Sequence, residues 1–170
     1  IEADVDLLLL IHPRLLPEKT LYAIDQFVLR GGKLLVFVDP VAETDDSEAS
    51  MGVGFTDRSS DLEQLFTAWG VNYHPKKVLL DLGFAHSIPV TQYGRAVPHV
   101  GVLGLHDAAI NRTQNVIAEL DNINLASAGA LSPKLGASTR YIPLLTSSTQ
   151  SQLMDAETYV MIGNHETLLS

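Results

Sequence analysis

The first forty residues constrain this chain more than any other stretch. Asp4-Val-Asp-Leu-Leu-Leu-Leu-Ile11 is followed by Pro17 to Arg30, then by Gly31-Gly-Lys-Leu-Leu-Val-Phe-Val-Asp39-Pro40. The order reads as strand, crossover helix, strand. Leu7 to Ile11 is a continuous apolar run of strand length closed by His12-Pro13, the pattern of a strand buried on both faces. Lys33 to Val38 repeats it. Between them Leu21, Ile24, Phe27 and Val28 recur at helical spacing, with Lys19, Asp25, Gln26 and Arg30 on the other side. Pro17 suits the first helical turn, and Gly31-Gly32 reaches the left-handed conformation that stops a helix. Burying Leu21, Ile24 and Phe27 on the sheet is worth about 1.5–3 kcal/mol each. Two such strands bridged by a helix lie parallel through a right-handed crossover. The expected fold class is therefore α/β, a mostly parallel sheet flanked by helices.

The rest of the chain is read in the same way. An acidic, small-residue stretch from Ala42 to Ser59 holds Glu43, Asp45, Asp46, Glu48 and Asp57, and its simplest reading is a solvated loop. Ser60-Asp-Leu-Glu63 matches a capping box opening a helix through Trp69, which Gly70 ends. Strands are expected around Val78 to Leu80, Val100 to Leu105, Ile123 to Ala126, Arg140 to Leu145 and Tyr159 to Ile162. A short helix is expected over Gln114 to Leu120. Ala85 to Pro98 reads as irregular because of Pro89, Gly94 and Pro98, and Leu131 to Ser138 as turn-rich. No repeat or low-complexity tract is present.

Composition narrows the function. With 170 residues the chain can bury a core without staples. It has no cysteine, hence no disulfide and no thiol nucleophile. Its net charge of −9 argues against nucleic acid or anionic lipid as a partner. No apolar run approaches the roughly 18–20 residues that span a bilayer. Ile1 leads almost at once into a strand, as in a piece of a longer polypeptide.

Known chemical motifs fit poorly. Around Gly31-Gly-Lys33 a phosphate loop would need glycine at Phe27 and a hydroxyl at Leu34. Gly52-Val-Gly54 lacks both a preceding strand and the final glycine of a dinucleotide fingerprint. No G-x-S-x-G elbow occurs, and the six histidines show no local metal-ligand spacing. No metal and no cofactor are expected. The best pair is His12, after the first strand, and Asp39, at the end of the second. Neighbouring parallel strands would place both at the carboxyl edge of the sheet, where open α/β folds bind ligands. Thr146, Ser147 and Ser148 follow another expected strand and could reach the same edge. Each also has a plain structural use: Asp39-Pro40 starts a turn, His12-Pro13 ends a strand, and hydroxyls cap helices. Asn111-Arg-Thr113 is a formal glycosylation sequon, read more simply as Thr113 capping a helix.

Ala3 to Pro13 and Leu21 to Pro40 together resemble the bacterial gliding-motility-type auxiliary component of ABC transporters, an uncharacterised transport-system family. Ile123 to Leu131 and Tyr141 to Ser148 fit it in order and spacing, and so does the Leu62 to Val71 segment. The resemblance spans about residues 3 to 155. It implies a flavodoxin-like fold similar to class I glutamine amidotransferases, whose cysteine nucleophile this chain lacks. It implies an amidotransferase-like domain over residues 1–155, with a C-terminal strand and tail over 156–170. It further implies an extracytoplasmic, periplasmic domain tethered by transmembrane helices outside this sequence, with permease and ATPase subunits as partners.

The leading expectation is a non-catalytic binding or interaction domain, with His12, Asp39, Thr146, Ser147 and Ser148 as candidate ligand contacts. The alternatives are a small-solute, sugar-like binding domain and a hydrolase using His12, Asp39 and a hydroxyl from Thr146 to Ser148.

Overall fold

The computed structural model describes residues 1–45, 56–89, 94 and 96–162. Asp46 and Glu48 of the acidic stretch, the Gly52-Val-Gly54 motif and the tail over 163–170 lie outside the described residues.

The opening unit forms as its sequence dictates. Strand β1 (Leu7–Ile11) pairs in parallel with β2 (Lys33–Phe37), Leu7 opposite Lys33 and Ile11 opposite Phe37, and helix α1 (Glu18–Leu29) connects them. Pro17 sits just before the helix, and its carbonyl accepts from the Thr20 and Leu21 N–H groups. At the other end Gly31 takes φ +93°. The Gly31 N–H donates to the Val28 carbonyl and the Gly32 N–H to the Phe27 carbonyl, the bond pair of a Schellman ending. Phe27 is 1% exposed, and a Cβ on Gly32 would stand 2.5 Å from its ring.

Helix α2 (Glu63–Trp69) ends at Gly70, φ 76°, and runs straight into β3 (Val71–Tyr73). The Ser60 capping box does not form. Leu62 occupies the N-cap without a side-chain bond. The Ser60 hydroxyl instead accepts from the Asp39 N–H at 2.6 Å, so it fastens the end of β2 to the start of α2. Both helices lie on one face of β1–β2, where Ile24, Leu62, Leu65 and Phe66 meet Leu8, Leu10, Leu34 and Val36.

The expected mostly parallel, flavodoxin-like sheet does not exist. After β2 every ladder among the described residues is antiparallel: β3 with β8 (Leu131–Pro133), β4 (Lys77–Asp81) with β9 (Ser151–Asp155), and β5 (Ala85–Pro89) with β6 (Ala96–His106) and β7 (Asn122–Ala126). A parallel pair needs a long crossover, usually a helix. Among the described residues α1 is the only α-helix between two consecutive strands that pair with each other. The chain is mixed α/β in small sheets, and the amidotransferase-like architecture is overturned with the parallel sheet.

Other expectations fail for local reasons. Gln114 to Leu120 is a series of turns, not a helix, with Ile117 N–H bonded to the Gln114 carbonyl and Leu120 N–H to that of Ile117. Asn111 Oδ1 accepts from both the N–H and the hydroxyl of Thr113, so Thr113 is not a helix cap. Arg140 to Leu145 makes only the bridge Ile110 to Leu145, since Pro143 has no N–H for a ladder. Tyr159 to Ile162 belongs to helix α3 (Ala156–Ile162). A short apolar run fits either period, and the helical one lets Ala156 and Tyr159 pack together on Val78, Leu80 and Val100. Ala85 to Pro98, expected to be irregular, supplies β5 and the start of β6.

Burial on both faces of β1–β2 is also not observed. The alternate set Leu7, Leu9, Ile11, Leu35 and Phe37 stays 47–68% exposed.

Truncating Phe27→Ala should cost about 3–5 kcal/mol, the usual range for a buried aromatic. Leu9→Ala, on the open face, should shift stability by well under 1 kcal/mol. Urea denaturation of the two variants checks this, and equal losses would contradict the assignment of inner and outer faces.

Candidate functional site

The carboxyl ends of β1 and β2 come together at a cavity of about 630 Å³. His12 follows β1 with φ 49°, and its N–H donates to the Phe37 carbonyl across the ladder at 2.9 Å. Asp39 follows β2. Its Oδ1 accepts from the Val41 N–H at 2.9 Å, an Asx-type turn that re-aims the chain. Both residues line the cavity. Ile11, Phe37, Val38, Val41 and Leu125 supply apolar wall.

The polar groups are unevenly matched. His12 Nε2 lies 3.2 Å from Asp45 Oδ2, and the Arg14 guanidinium reaches the same oxygen at 2.9 Å. His12 Nδ1 is buried and has no hydrogen-bond partner among the described residues. The Asp39 carboxyl is pushed above its ordinary value, chiefly by burial. The Val41 N–H and the nearby His12 oppose that rise, and Glu43 adds to it. A pocket with apolar walls, a desolvated carboxyl and an unmatched imidazole nitrogen suits a ligand that brings its own hydrogen-bonding or cationic group.

Two contributors escaped sequence reasoning. Ala126 and Ala128 line the cavity, and Ser127 between them is fully buried with φ 52°. Its hydroxyl donates to Glu43 Oε1 and lies 3.3 Å from the Tyr159 hydroxyl. Burial raises the pKa of Tyr159. Glu43 was visible only as one acid in an acidic stretch, and nothing local to Ser127 marks it.

The hydroxyl cluster is placed elsewhere and lines no part of this cavity. Ser148 holds Asp81 at the end of β4, its N–H to Oδ2 at 2.6 Å and its hydroxyl to Oδ1 at 2.5 Å. The Gly83 and Phe84 N–H groups also donate to Asp81 Oδ1. Asp81 is 0% exposed, and these donors are what a buried carboxylate requires. The Thr146 N–H donates to the Ala109 carbonyl, and the Ser147 hydroxyl accepts from that of Ser151. The structure thus joins His12 to Asp39 and does not join either to Thr146, Ser147 or Ser148. Among the described residues no cluster of three or more His, Asp or Glu forms a metal-binding arrangement, and no helix is long and apolar enough to cross a membrane.

A second cleft, about 700 Å³, lies over β5–β6–β7 and is lined by Phe84, His86, His106, Asp107, Asn122 and Asn124. The side chains of His86, Asn122 and Asn124 make no hydrogen bond among the described residues.

Two variants test these assignments. Ser148→Ala should destabilise the fold by about 1–3 kcal/mol, the cost of leaving a buried acceptor short of a donor, and Ser147→Ala should be near neutral in the same denaturation series. Asp39 has a raised folded-state pKa. Its contribution to stability is therefore fully present below the unfolded carboxyl value and is lost as pH rises through the folded one. Asn at this position keeps the acceptor for the Val41 N–H without the buried charge. Asp39→Asn should melt above the parent at pH 7, and the gap should close on acidification toward pH 4. Melts across that window check it, and a lower melting temperature at pH 7 would contradict it.

A family model described as an ABC-type uncharacterized transport system matches residues 1–170, the whole of this sequence. No curated protein and no solved structure matches the chain. The family match covers the β1-α1-β2 unit, the cavity at its carboxyl edge and the antiparallel remainder alike, and on that match the chain belongs to the family of auxiliary components of ABC-type uncharacterized transport systems.

Proposed function

We propose that this chain is a non-catalytic binding and interaction domain of the gliding-motility-type auxiliary component, held on the extracytoplasmic side of the membrane and engaging the permease of its transport system. The cavity between His12 and Asp39 carries the reading. It is built for contact: apolar walls, a desolvated carboxyl and an imidazole nitrogen without a partner among the described residues. A hydrolytic role gains little support from the same geometry. The hydroxyls of Ser147 and Ser148 are engaged elsewhere, and that of Ser127 is buried and spent on Glu43. General acid–base chemistry needs its groups within hydrogen-bond reach of one another and of the reacting atom.

A second reading, a sugar-like solute binder, is favoured by the polar cleft. Phe84 offers an aromatic surface there, and His86, Asn122 and Asn124 offer hydrogen-bonding groups with no partner among the described residues. Polar groups converging on one concavity are what orient a small ligand.

The purified domain should bind extramembrane segments of its cognate permease in an interferometry assay, and His12→Ala should weaken that binding about tenfold, or 1.4 kcal/mol. Failure of both the domain and the full-length protein to bind would sink the interaction reading. A melting shift with sugars in place of permease binding, lost in Asn124→Ala, would move the function to the cleft over β5–β6–β7.

A further inference from the structure

The open face of β1–β2 is the most anomalous surface of the molecule. Leu7, Leu9 and Ile11 are 57%, 50% and 68% exposed, and Leu35 and Phe37 are 47% and 55% exposed. The register sets Leu9 opposite Leu35 and Ile11 opposite Phe37, so the five side chains form one patch. At about 150 Å² a side chain, the lower bound for an aromatic one, those fractions amount to roughly 400 Å² of exposed surface, within the range of the largest patches on a monomer, which are often functional. The residues of βαβ strands are usually covered by helices on both faces. Here α1 and α2 both lie on the inner one.

The dimensions of the patch select its occupant. Two strands about 4.8 Å apart and five residues long make a face about 16 Å in length. A single α-helix, about 10–12 Å across, covers both strands, and three turns of it match that length. Charge selects further. Ile11 and Phe37 belong to the patch and also line the cavity that contains Asp39 and Glu43. The apolar surface therefore runs into an acidic rim of three carboxylates, Asp39, Glu43 and Asp45, of which Asp45 is the one that His12 and Arg14 reach. A cation suits that rim beside Asp39 and Glu43. A second copy of this chain, itself carrying a net charge of −9, is repelled at long range.

We propose that this face docks an amphipathic helix of about three turns from a partner polypeptide of the transport system. Its apolar stripe lies on Leu7, Leu9, Ile11, Leu35 and Phe37, and a Lys or Arg near one end pairs with Asp39 and Glu43. The inference rests on the interaction reading above and adds the surface and the chemistry of the partner.

A photo-crosslinking residue placed at Leu9 or Leu35 of the full-length chain, in cells that carry the transport system, tests this directly. The mapped crosslinks should fall on one segment of another subunit, with apolar residues at i, i+3, i+4 and i+7 and a Lys or Arg at its end. A synthetic peptide of that segment should bind the purified domain by fluorescence anisotropy. Leu9→Glu and Glu43→Lys should each weaken it tenfold or more, and Leu9→Glu should leave the melting temperature unchanged. Crosslinks to a second copy, to the chain itself or to no discrete segment would overturn the proposal, as would peptide binding that neither variant affects. Permease binding that survives Leu9→Glu combined with Leu35→Glu would overturn this surface and leave the interaction reading standing. Loss of crosslinks together with absence of any permease binding would remove both.

Discussion

The contact of the Phe27 ring with the backbone of Gly32 holds the first unit of this structure together. The ring lies so close that a single added carbon at Gly32 would collide with it. That closeness lets α1 fold straight back onto the sheet, with Gly31 in the left-handed conformation and the Phe27 and Val28 carbonyls satisfied. From there the register of β2 against β1 is set, and with it the meeting of His12 and Asp39. The Ser60 hydroxyl then fixes the Asp39 backbone to the entry of α2. Each step depends on the one before, so the geometry of the cavity is a consequence of helix packing one layer below it.

The molecule handles a buried carboxyl, Asp81, and a half-buried one, Asp39, in opposite ways. Asp81 sits among backbone and hydroxyl donors at the end of β4, three of them on Oδ1 and one on Oδ2. It ties the loop after β4 to the segment before β9 and serves the fold. Asp39 has one backbone donor and an acid neighbour, and burial dominates its titration. Perturbed carboxyls of this kind gather at functional places.

What the sequence disclosed follows from the range of the forces involved. The β1-α1-β2 unit was legible because its signals are local: apolar period, a proline before the helix, a glycine pair after it. His12 and Asp39 were legible by the same route, since strand ends follow from strand positions. The antiparallel ladders were not. Val71 meets Pro133 and Lys77 meets Asp155, partners set by packing across the chain rather than by any neighbouring residue. Helix α3 was misread as a strand because seven residues carry too few turns to show a period. Ser148 stands against Asp81, a distant neighbour in sequence that no local pattern encodes. Glu43 and Ser127 come together from opposite halves of the chain, which no local pattern encodes.

The β1–β2 ribbon has only two strands among the described residues, so each strand keeps one flank of backbone N–H and C=O groups free of any ladder. Leu7 to Ile11 and Lys33 to Phe37 are rich in strand-forming, uncharged side chains. Nothing of the gatekeeping kind, a proline or an inward charge, interrupts Leu7 to Ile11. Such flanks template strand addition from other molecules. When the domain is produced by itself, these flanks are the places where an extended segment of another polypeptide can add as a further strand.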